Sequence, residues 1–179
     1  MSSDTLTQTS YRVLVLVGRG GAGPHDLVRM VRVGRVYEAA AESAYYAEPK
    51  RLEKLGYLRS RKEPGRTRER THYEITEKGI DALREWMKTP ASPPRVATDA
   101  IERLLAADLV GDEAVLESVC GMRDEIGVML EGVESSVEAA ERLPHRRTYL
   151  LLNYRLARAV LEAHLAWLDD VERELSPKR

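Results

Sequence analysis

The segment that decides the fold lies between residues 43 and 79 and reads SAYYAEPKRLEKLGYLRSRKEPGRTRERTHYEITEKG. Gly56 is a typical helix stop, so the residues before it predict a helix over 44–55. Apolar and polar residues alternate over 71–75, which together with 57–62 predicts two strands joined by a Pro-Gly turn. This segment therefore encodes a helix followed by a basic two-stranded hairpin.

Helices are also predicted on both sides of this segment. Residues 5–17 favour a helix, although the apolar run Val13–Val17 is equally typical of a strand, and Pro24 suits the first turn of a second helix. After the hairpin, Thr76 can cap a helix whose apolar residues recur at spacings of three and four. The order helix, helix, helix, basic hairpin, helix is that of a winged helix-turn-helix, whose third helix enters the DNA major groove.

A proline-rich segment divides the chain. Residues 90–94 contain three prolines, which stop a helix and cannot lie inside a sheet, so we predict two domains, 1–89 and 90–179. Residues 1–89 carry 17 Lys and Arg against 12 Asp and Glu, a net charge of +5, whereas residues 90–179 carry 11 against 17, a net charge of −6. This asymmetry favours contact between a polyanion and the first half alone.

The second half is predicted to be helical throughout, with one long helix over 114–143 and another that continues almost to the end of the sequence. Both carry apolar residues at alternating spacings of three and four, a heptad pattern wider than packing within one chain requires. We therefore predict a mainly α fold with a small β-hairpin wing: an N-terminal winged helix-turn-helix and a C-terminal dimerisation domain of long antiparallel helices. The candidate dimer contacts are Val119, Met122, Ile126, Leu150, Tyr154, Leu161, His164 and Leu168.

Side chains suited to DNA contact are concentrated in the third helix and the hairpin. The helix offers aromatic and basic residues. The hairpin carries arginines at every second position, and an extended strand places these on one face, where guanidinium groups can bind phosphate oxygens. The candidate DNA-binding residues are Tyr45, Tyr46, Lys50, Arg51 and Lys54 in the helix, and Arg66, Arg68 and Arg70 in the hairpin.

Three runs resemble motifs of the PadR family of transcriptional regulators. Residues 46–58, YAEPKRLEKLGYL, resemble the family's recognition helix and following strand. Residues 73–79, YEITEKG, resemble the start of its fourth helix, and Leu165-Ala166-Trp167-Leu168 is similar to the tryptophan motif of its last helix. The resemblance covers most of the chain and is strongest from Tyr46 to Trp86.

The recognition helix departs from the family pattern at two positions. Pro49 stands where the family has an apolar helix residue, and Ala47 stands where it has proline. Proline removes a hydrogen bond from the interior of a helix, so we expect the recognition helix to begin late, near Glu48, or to be kinked.

The resemblance implies a homodimer that binds a pseudo-palindromic operator in double-stranded DNA, usually as a repressor, with its recognition helices about 34 Å apart. It also implies that DNA is released when a small, often aromatic effector binds near the dimer interface. Trp167 is the candidate residue for that pocket. No motif in the sequence identifies the operator, the effector or the sign of regulation.

Three alternative interpretations remain. The pattern Gly18-x-Gly20-x-x-Gly23 follows an apolar run and precedes Glu38, an outline typical of a dinucleotide-binding enzyme, although the later chain predicts helices where that fold requires parallel strands. The second alternative is a winged-helix scaffold whose hairpin binds an acidic protein without DNA specificity. The third is another winged-helix class, such as the MarR-like regulators.

Composition narrows the class of protein further. The single cysteine, Cys120, excludes an internal disulfide and is typical of a reducing compartment. The first ten residues are polar and lack the pattern of a secretory signal, and the apolar run Val13–Val17 is far shorter than the roughly 20 residues that cross a membrane. We therefore expect a cytoplasmic protein that is not an enzyme, does not enter a membrane and uses no metal or other cofactor.

Overall fold

The computed structural model describes residues 5–33, 36, 40–64, 69–94 and 98–176. Within these ranges the chain is mainly helical and contains one two-stranded antiparallel sheet, so the predicted mainly helical fold with a β-hairpin is confirmed. The helices are α1 (Gln8–Val17), α2 (Pro24–Val33), α3 (Ala44–Lys54), α4 (Glu77–Trp86), α5 (Ala100–Leu105), α6 (Ala107–Val110), α7 (Asp112–Cys120), α8 (Arg123–Ala140) and α9 (Arg147–Leu175); the strands are β1 (Leu58–Glu63) and β2 (Arg70–Ile75).

The chain divides into two compact units. The N-terminal unit comprises Met1–Arg32 and Ala39–Pro94, and the helical unit comprises Val33–Glu38 and Arg95–Arg179. The boundary predicted between residues 89 and 90 lies at the start of the proline-rich segment 90–94, and the division between the two units lies at its end. The sequence did not reveal that Val36 belongs to the helical unit, where it packs against the apolar core.

The core of the N-terminal unit lies between its first three helices and the hairpin. Leu14, Leu27, Tyr45 and Leu52 are fully buried there. The Val13–Val17 run is helical, which resolves the ambiguity in the sequence: the Thr7 side chain caps α1 in a capping box, and three of the five residues in the run face the core. Burial of such apolar side chains stabilises a fold by about 1.5–3 kcal/mol each.

The helix that follows the hairpin is capped as predicted. The Thr76 hydroxyl accepts a hydrogen bond from the Gly79 backbone N–H at 3.2 Å and donates to the Gly56 carbonyl oxygen, 2.8 Å away. Gly56 has φ +78°, a conformation that only glycine adopts readily, so it ends α3 and starts the hairpin. Trp86, near the end of α4, stacks on Tyr11 of α1 with ring centroids 4.7 Å apart.

The glycine-rich segment 18–23 connects α1 to α2 and braces the hairpin. Ala22 and Tyr73 of β2 exchange two backbone hydrogen bonds, of 3.0 and 2.9 Å. Because the segment joins a helix to a helix, and not a strand to a helix, it is not a dinucleotide-binding turn. The nucleotide interpretation of Gly18, Gly20 and Gly23 is therefore wrong, and Glu38 lies outside the described residues.

We expect Gly21→Ala to destabilise the N-terminal unit by about 1–3 kcal/mol, whereas Gly20→Ala should be close to neutral. Gly21 has φ +71°, and a Cβ atom there would lie 2.1 Å from Nε2 of His72 and 2.8 Å from the Tyr73 carbonyl oxygen. A Cβ atom at Gly20 would meet nothing within 4 Å. Urea unfolding followed by circular dichroism measures both variants, and equal stability of the two would contradict the proposed bracing.

The helical unit is built on α9, a helix of 29 residues that packs against α7 and α8. The single helix predicted over 114–143 is in fact two helices, because the chain breaks at Gly121 and Met122 between α7 and α8. Gly121 is a poor helix former, and a Cβ atom on it would lie 2.8 Å from the Glu117 carbonyl oxygen. None of the helices in the described ranges is long and apolar enough to cross a membrane.

Four of the predicted dimer contacts lie in the core of the protomer. Val119, Ile126, Leu161 and Leu168 are 6% exposed or less, so a second subunit cannot reach them, and their assignment to the dimer interface is corrected. The heptad pattern that contains them forms the seam between α9 and its neighbours within one chain. Of the remaining candidates, Met122 and Tyr154 pack against this core, Leu150 is half-buried, and the half-buried His164 has Nδ1 2.8 Å from the Val160 carbonyl oxygen of its own helix.

Two further residues of the helical unit were singled out in the sequence. Trp167 packs against the edge of the apolar core, so its part in an effector pocket stays a prediction. Burial raises the pKa of the Cys120 thiol, and the nearby Glu172 carboxylate raises it further. A raised pKa disfavours the reactive thiolate, which fits a packing role for Cys120.

Candidate nucleic-acid interface

Helix α3 has one buried face and one exposed basic face. Tyr45, Pro49 and Leu52 face the core, whereas Tyr46, Lys50 and Lys54 are exposed. The exposed residues recur every fourth position, so they form one stripe along the helix. The stripe presents one aromatic ring and two ammonium groups to solvent.

The helix does not begin late. It starts at Ala44 and contains Pro49 in its interior, so the expected start near Glu48 is wrong. The proline ring is fully buried in the core of the unit. Burial of this ring offsets part of the roughly 3 kcal/mol that proline costs inside a helix.

Tyr45 is not available to DNA. Its side chain is fully buried, and its hydroxyl accepts a hydrogen bond from Arg12, 3.3 Å away. The assignment of Tyr45 to DNA contact is therefore corrected, because position 45 lies on the core face of α3. Tyr46, its neighbour, is 37% exposed and has its hydroxyl 3.1 Å from Nδ1 of His25, at the start of α2.

Arg51 is held inside the N-terminal unit. Its guanidinium donates to Glu48 at 2.8 and 3.0 Å and to the hydroxyl of the buried Ser10 at 3.0 Å. Ser10 in turn donates to Glu48 at 2.6 Å. This network connects α1 to α3, so the structure gives Arg51 a bracing role in place of the predicted base contact.

The Arg51 network sets the ionisation of Glu48. Burial opposes ionisation of this carboxyl, but the hydrogen bonds from Arg51 and Ser10, with the charge of Arg51, outweigh burial and lower its pKa below the ordinary 4.5. A lowered pKa in the folded state means that the ionised carboxylate stabilises the fold. That contribution is complete above pH 4.5 and is lost as the pH falls through the lower, folded-state pKa.

We expect Arg51→Ala to lower the free energy of unfolding by about 1–3 kcal/mol at neutral pH, because it leaves the Glu48 carboxylate buried beside Ser10 without its cation. Lys50→Ala, one residue away on the exposed face, serves as the matched control and should leave stability unchanged. Glu48→Gln should reduce the loss of stability below pH 4.5, because it removes the contribution of this one carboxyl. Urea unfolding between pH 3 and 7 tests both expectations; wild-type stability in Arg51→Ala would refute the bracing role.

The hairpin carries a second basic surface. The antiparallel register pairs Arg59 with Glu74 and Glu63 with Arg70, and these residues share one face of the hairpin with Arg61. The three arginines are 58–74% exposed and pair with the two glutamates over 2.7–4.0 Å. The hydrogen bond from Arg59 lowers the pKa of Glu74. The face thus holds three arginines against two glutamates, and its cations point to solvent.

Two of these exposed arginines were not among the candidate DNA-binding residues predicted from the sequence. Arg59 and Arg61 lie on the first strand, where the alternation of Arg59, Arg61 and Glu63 was the available signal. Arg70 lies on the exposed face as predicted, whereas Arg66 and Arg68 lie outside the described residues. The hairpin packs against α3, so the two basic surfaces belong to the same compact unit.

Comparisons with known proteins find the same fold among solved structures. No protein-family model matches the sequence, and no curated protein is similar enough to count as a relative. Solved structures do match. The Bacillus subtilis PadR in complex with operator DNA aligns with a TM-score of 0.80 at 16% identity, over 96% of this chain and 99% of that one. The same protein in complex with p-coumaric acid aligns with a TM-score of 0.56 at 16% identity, over 93% and 96%.

A regulator from another bacterium aligns over a similar length. The virulence activator AphA of Vibrio cholerae has a TM-score of 0.68 and 21% identity, over 94% of this chain and 98% of that one. Sequence identity is low in each case, whereas the course of the backbone is common to all. This chain therefore has the fold of the transcriptional regulators PadR and AphA.

Proposed function

We propose that this protein is a sequence-specific DNA-binding transcriptional regulator of the PadR family that acts as a homodimer. The observation that supports this most strongly is the pair of exposed basic surfaces in one winged-helix unit: the α3 stripe and the arginine face of the hairpin. The α3 stripe suits base edges in the major groove, and the hairpin suits neighbouring phosphates. PadR, which has this fold, was solved on its operator.

The α3 stripe and the arginine face of the hairpin would bind different parts of the DNA. Tyr46, Lys50 and Lys54 are the side chains that would read bases, because they project from the exposed face of α3. Arg59, Arg61 and Arg70 would bind phosphates, exchanging their glutamate partners for phosphate oxygens. The predicted Arg66 and Arg68 contacts are retained as part of the same proposal.

An exposed apolar row on α9 supports the homodimer. Tyr149, Leu152 and Leu156 are 72%, 56% and 57% exposed, and their spacings of three and four place them on one side of the helix. Exposed Ala159, Ala163 and Ala166 continue the row at the same spacings. A contiguous apolar row of this kind marks a surface that a partner covers. It is a different face of α9 from the buried seam predicted from the heptads.

The decisive experiment is selection from a pool of randomised duplexes with the purified full-length protein, followed by titration of the enriched sequence against a random duplex. We expect an enriched pseudo-palindrome with half-sites about 34 Å apart, bound by two protomers, and an affinity that falls steeply with salt. The absence of any enriched sequence would contradict the proposal. Tight capture of an acidic protein together with unselective duplex binding would favour the scaffold interpretation.

We also propose that this protein is a repressor and that a small aromatic effector controls its binding to DNA. PadR, which has the same fold, was solved in complex with p-coumaric acid. Trp167 offers a direct probe: Trp86→Phe leaves it as the single tryptophan, because the chain has two. Titration of that variant with a panel of aromatic acids should quench or shift its fluorescence and weaken operator binding. A panel that changes neither signal would count against effector control.

A further inference from the structure

The helical unit exposes two apolar surfaces of opposite charge. The first, which we call the acidic patch, consists of Leu105, Leu109 and Val110 on α5 and α6, which are 72%, 83% and 62% exposed. Residues 104–122 contain four acidic residues and neither Lys nor Arg. Of these, Asp108, Asp112 and Glu113 are exposed and form no ion pair within the described part of the chain. The patch is therefore apolar, and unpaired carboxylates lie close to it in the chain.

The second surface, which we call the basic row, is the exposed apolar row Tyr149, Leu152 and Leu156 on α9. Residues 142–161 contain five arginines and neither Asp nor Glu. Arg147 and Arg158 pair with Glu141 and Glu134. Arg155 is exposed, lies between Leu152 and Leu156 in the chain, and has no ion-pair partner among the residues that the structure describes. The row is therefore apolar with an uncompensated cation beside it.

We propose that two copies of this chain form a reciprocal contact. The basic row of each protomer docks on the acidic patch of the other. This inference rests on the proposed homodimer and specifies its contacts. Two-fold symmetry requires that a contact between two different patches occurs twice, so each copy covers both surfaces of the other. Leu105, Leu109 and Val110 would then be buried against Tyr149, Leu152 and Leu156.

Charge argues for this exchange against the simpler packing of row on row. Two antiparallel basic rows would bring both copies' Arg155 close together, in a segment without a carboxylate to neutralise them. Docking on the acidic patch instead offers Arg155 the unpaired Asp108, Asp112 and Glu113. Like charges that face each other across an interface are strongly unfavourable, whereas complementary potentials select the correct partner.

A charge-reversal exchange tests the proposal with the full-length protein. Arg155→Glu on the basic row, and Asp112→Lys with Glu113→Lys on the acidic patch, should each raise the dimer dissociation constant at least about tenfold. The equimolar mixture should recover the dimer as a heterodimer. In the heterodimer one contact pairs the two reversed surfaces, and the other pairs the two wild-type surfaces. Sedimentation equilibrium gives the dissociation constants, and native mass spectrometry of tagged variants identifies the heterodimer.

Two charge-reversal variants outside both surfaces serve as controls. Arg173→Glu, toward the other end of α9, and Glu138→Lys, on the exposed face of α8, reverse charges outside both surfaces and should leave dimerisation unchanged. Circular dichroism checks that all variants are folded. Normal dimerisation of the Asp112→Lys, Glu113→Lys variant, or a mixture that forms no heterodimer, overturns the exchange, as does a monomeric wild-type protein. Duplex selection is scored separately, so a failed exchange with intact DNA selection leaves the regulatory function standing.

Discussion

Replacing Arg59 and Arg61 together by alanine is expected to weaken binding to every duplex and to reduce the slope of log affinity against log salt concentration by about 1.8. Each phosphate that a cation neutralises releases counterions and contributes about 0.9 to this slope. Both arginines are exposed on the outer face of the hairpin, where phosphate oxygens can replace Glu74 and Glu63 as their partners. The loss should be the same for operator and random duplex, because phosphates carry no sequence information.

The matched control removes two cations from another surface of the same unit. Arg84 and Lys88, on or just after α4, are also exposed and paired with carboxylates, namely Asp81 and Glu85. Their double alanine variant changes the net charge equally and should retain the wild-type slope. Fluorescence anisotropy titrations between 50 and 300 mM salt supply the slopes; indistinguishable slopes for the two double variants would refute the phosphate role of the hairpin.

The α3 stripe should behave differently from the hairpin. Lys50→Ala is expected to reduce discrimination between operator and random duplex by about 1–3 kcal/mol if Lys50 contacts a base. The ratio of the two affinities measures this directly, at one salt concentration. An unchanged ratio with a reduced slope would assign Lys50 to a phosphate. Arg51→Ala, at the neighbouring position, is expected to change the ratio of the two affinities only through its effect on the stability of the N-terminal unit.

Aspartate substitutions at two leucines of α9 should have opposite consequences. Leu161 is 4% exposed in the core between α9 and its neighbours, so Leu161→Asp buries an unpaired carboxylate and should destabilise the helical unit by more than about 4 kcal/mol. Leu156 is 57% exposed, so Leu156→Asp should cost the protomer less than about 1 kcal/mol. Because Leu156 belongs to the proposed dimer surface, this second variant should be a folded monomer.

Two measurements separate these outcomes. Thermal unfolding followed by circular dichroism should show a lost or strongly lowered transition for Leu161→Asp and a retained helical spectrum for Leu156→Asp. Sedimentation velocity should then find Leu156→Asp at the monomer mass. A folded monomer of Leu161→Asp would instead restore the sequence-based assignment of that residue to the dimer interface, and a dimeric Leu156→Asp would remove the exposed row from it.

The parts of the fold that could be predicted are those determined by interactions between residues close together in the chain. Thr76 caps the helix that begins at the next residue, Gly56 ends α3, and Pro24 opens α2, because caps and stops act over three or four residues. The order of helices and the basic hairpin followed from such signals. The break at Gly121 was missed, since the apolar spacing continues across it and only backbone geometry reveals the interruption.

The assignment of side chains to the site was less successful, for a physical reason that α3 illustrates. Tyr45 and Tyr46 are adjacent and equally suited to DNA by type, yet one is buried and the other exposed. Lys50 and Arg51 are both cations, but only Arg51 meets a carboxylate, on its own helix, and a hydroxyl from α1. Propensity and charge are properties of single residues. Which face of α3 packs against α1, and which face stays exposed, depends on contacts between residues that are distant in the chain.

The amino-acid sequence thus determined the kinds of element, their order, and the basic and acidic halves of the chain, because these follow from local propensities and composition. Tertiary packing decided which faces remain available. Helix α9 carries two apolar rows, one through Leu161 and Leu168 and one through Leu152 and Leu156, and a heptad pattern alone cannot rank them. The positions of α7 and α8 cover the first row and leave the second exposed, and only contacts distant in the chain carry that information.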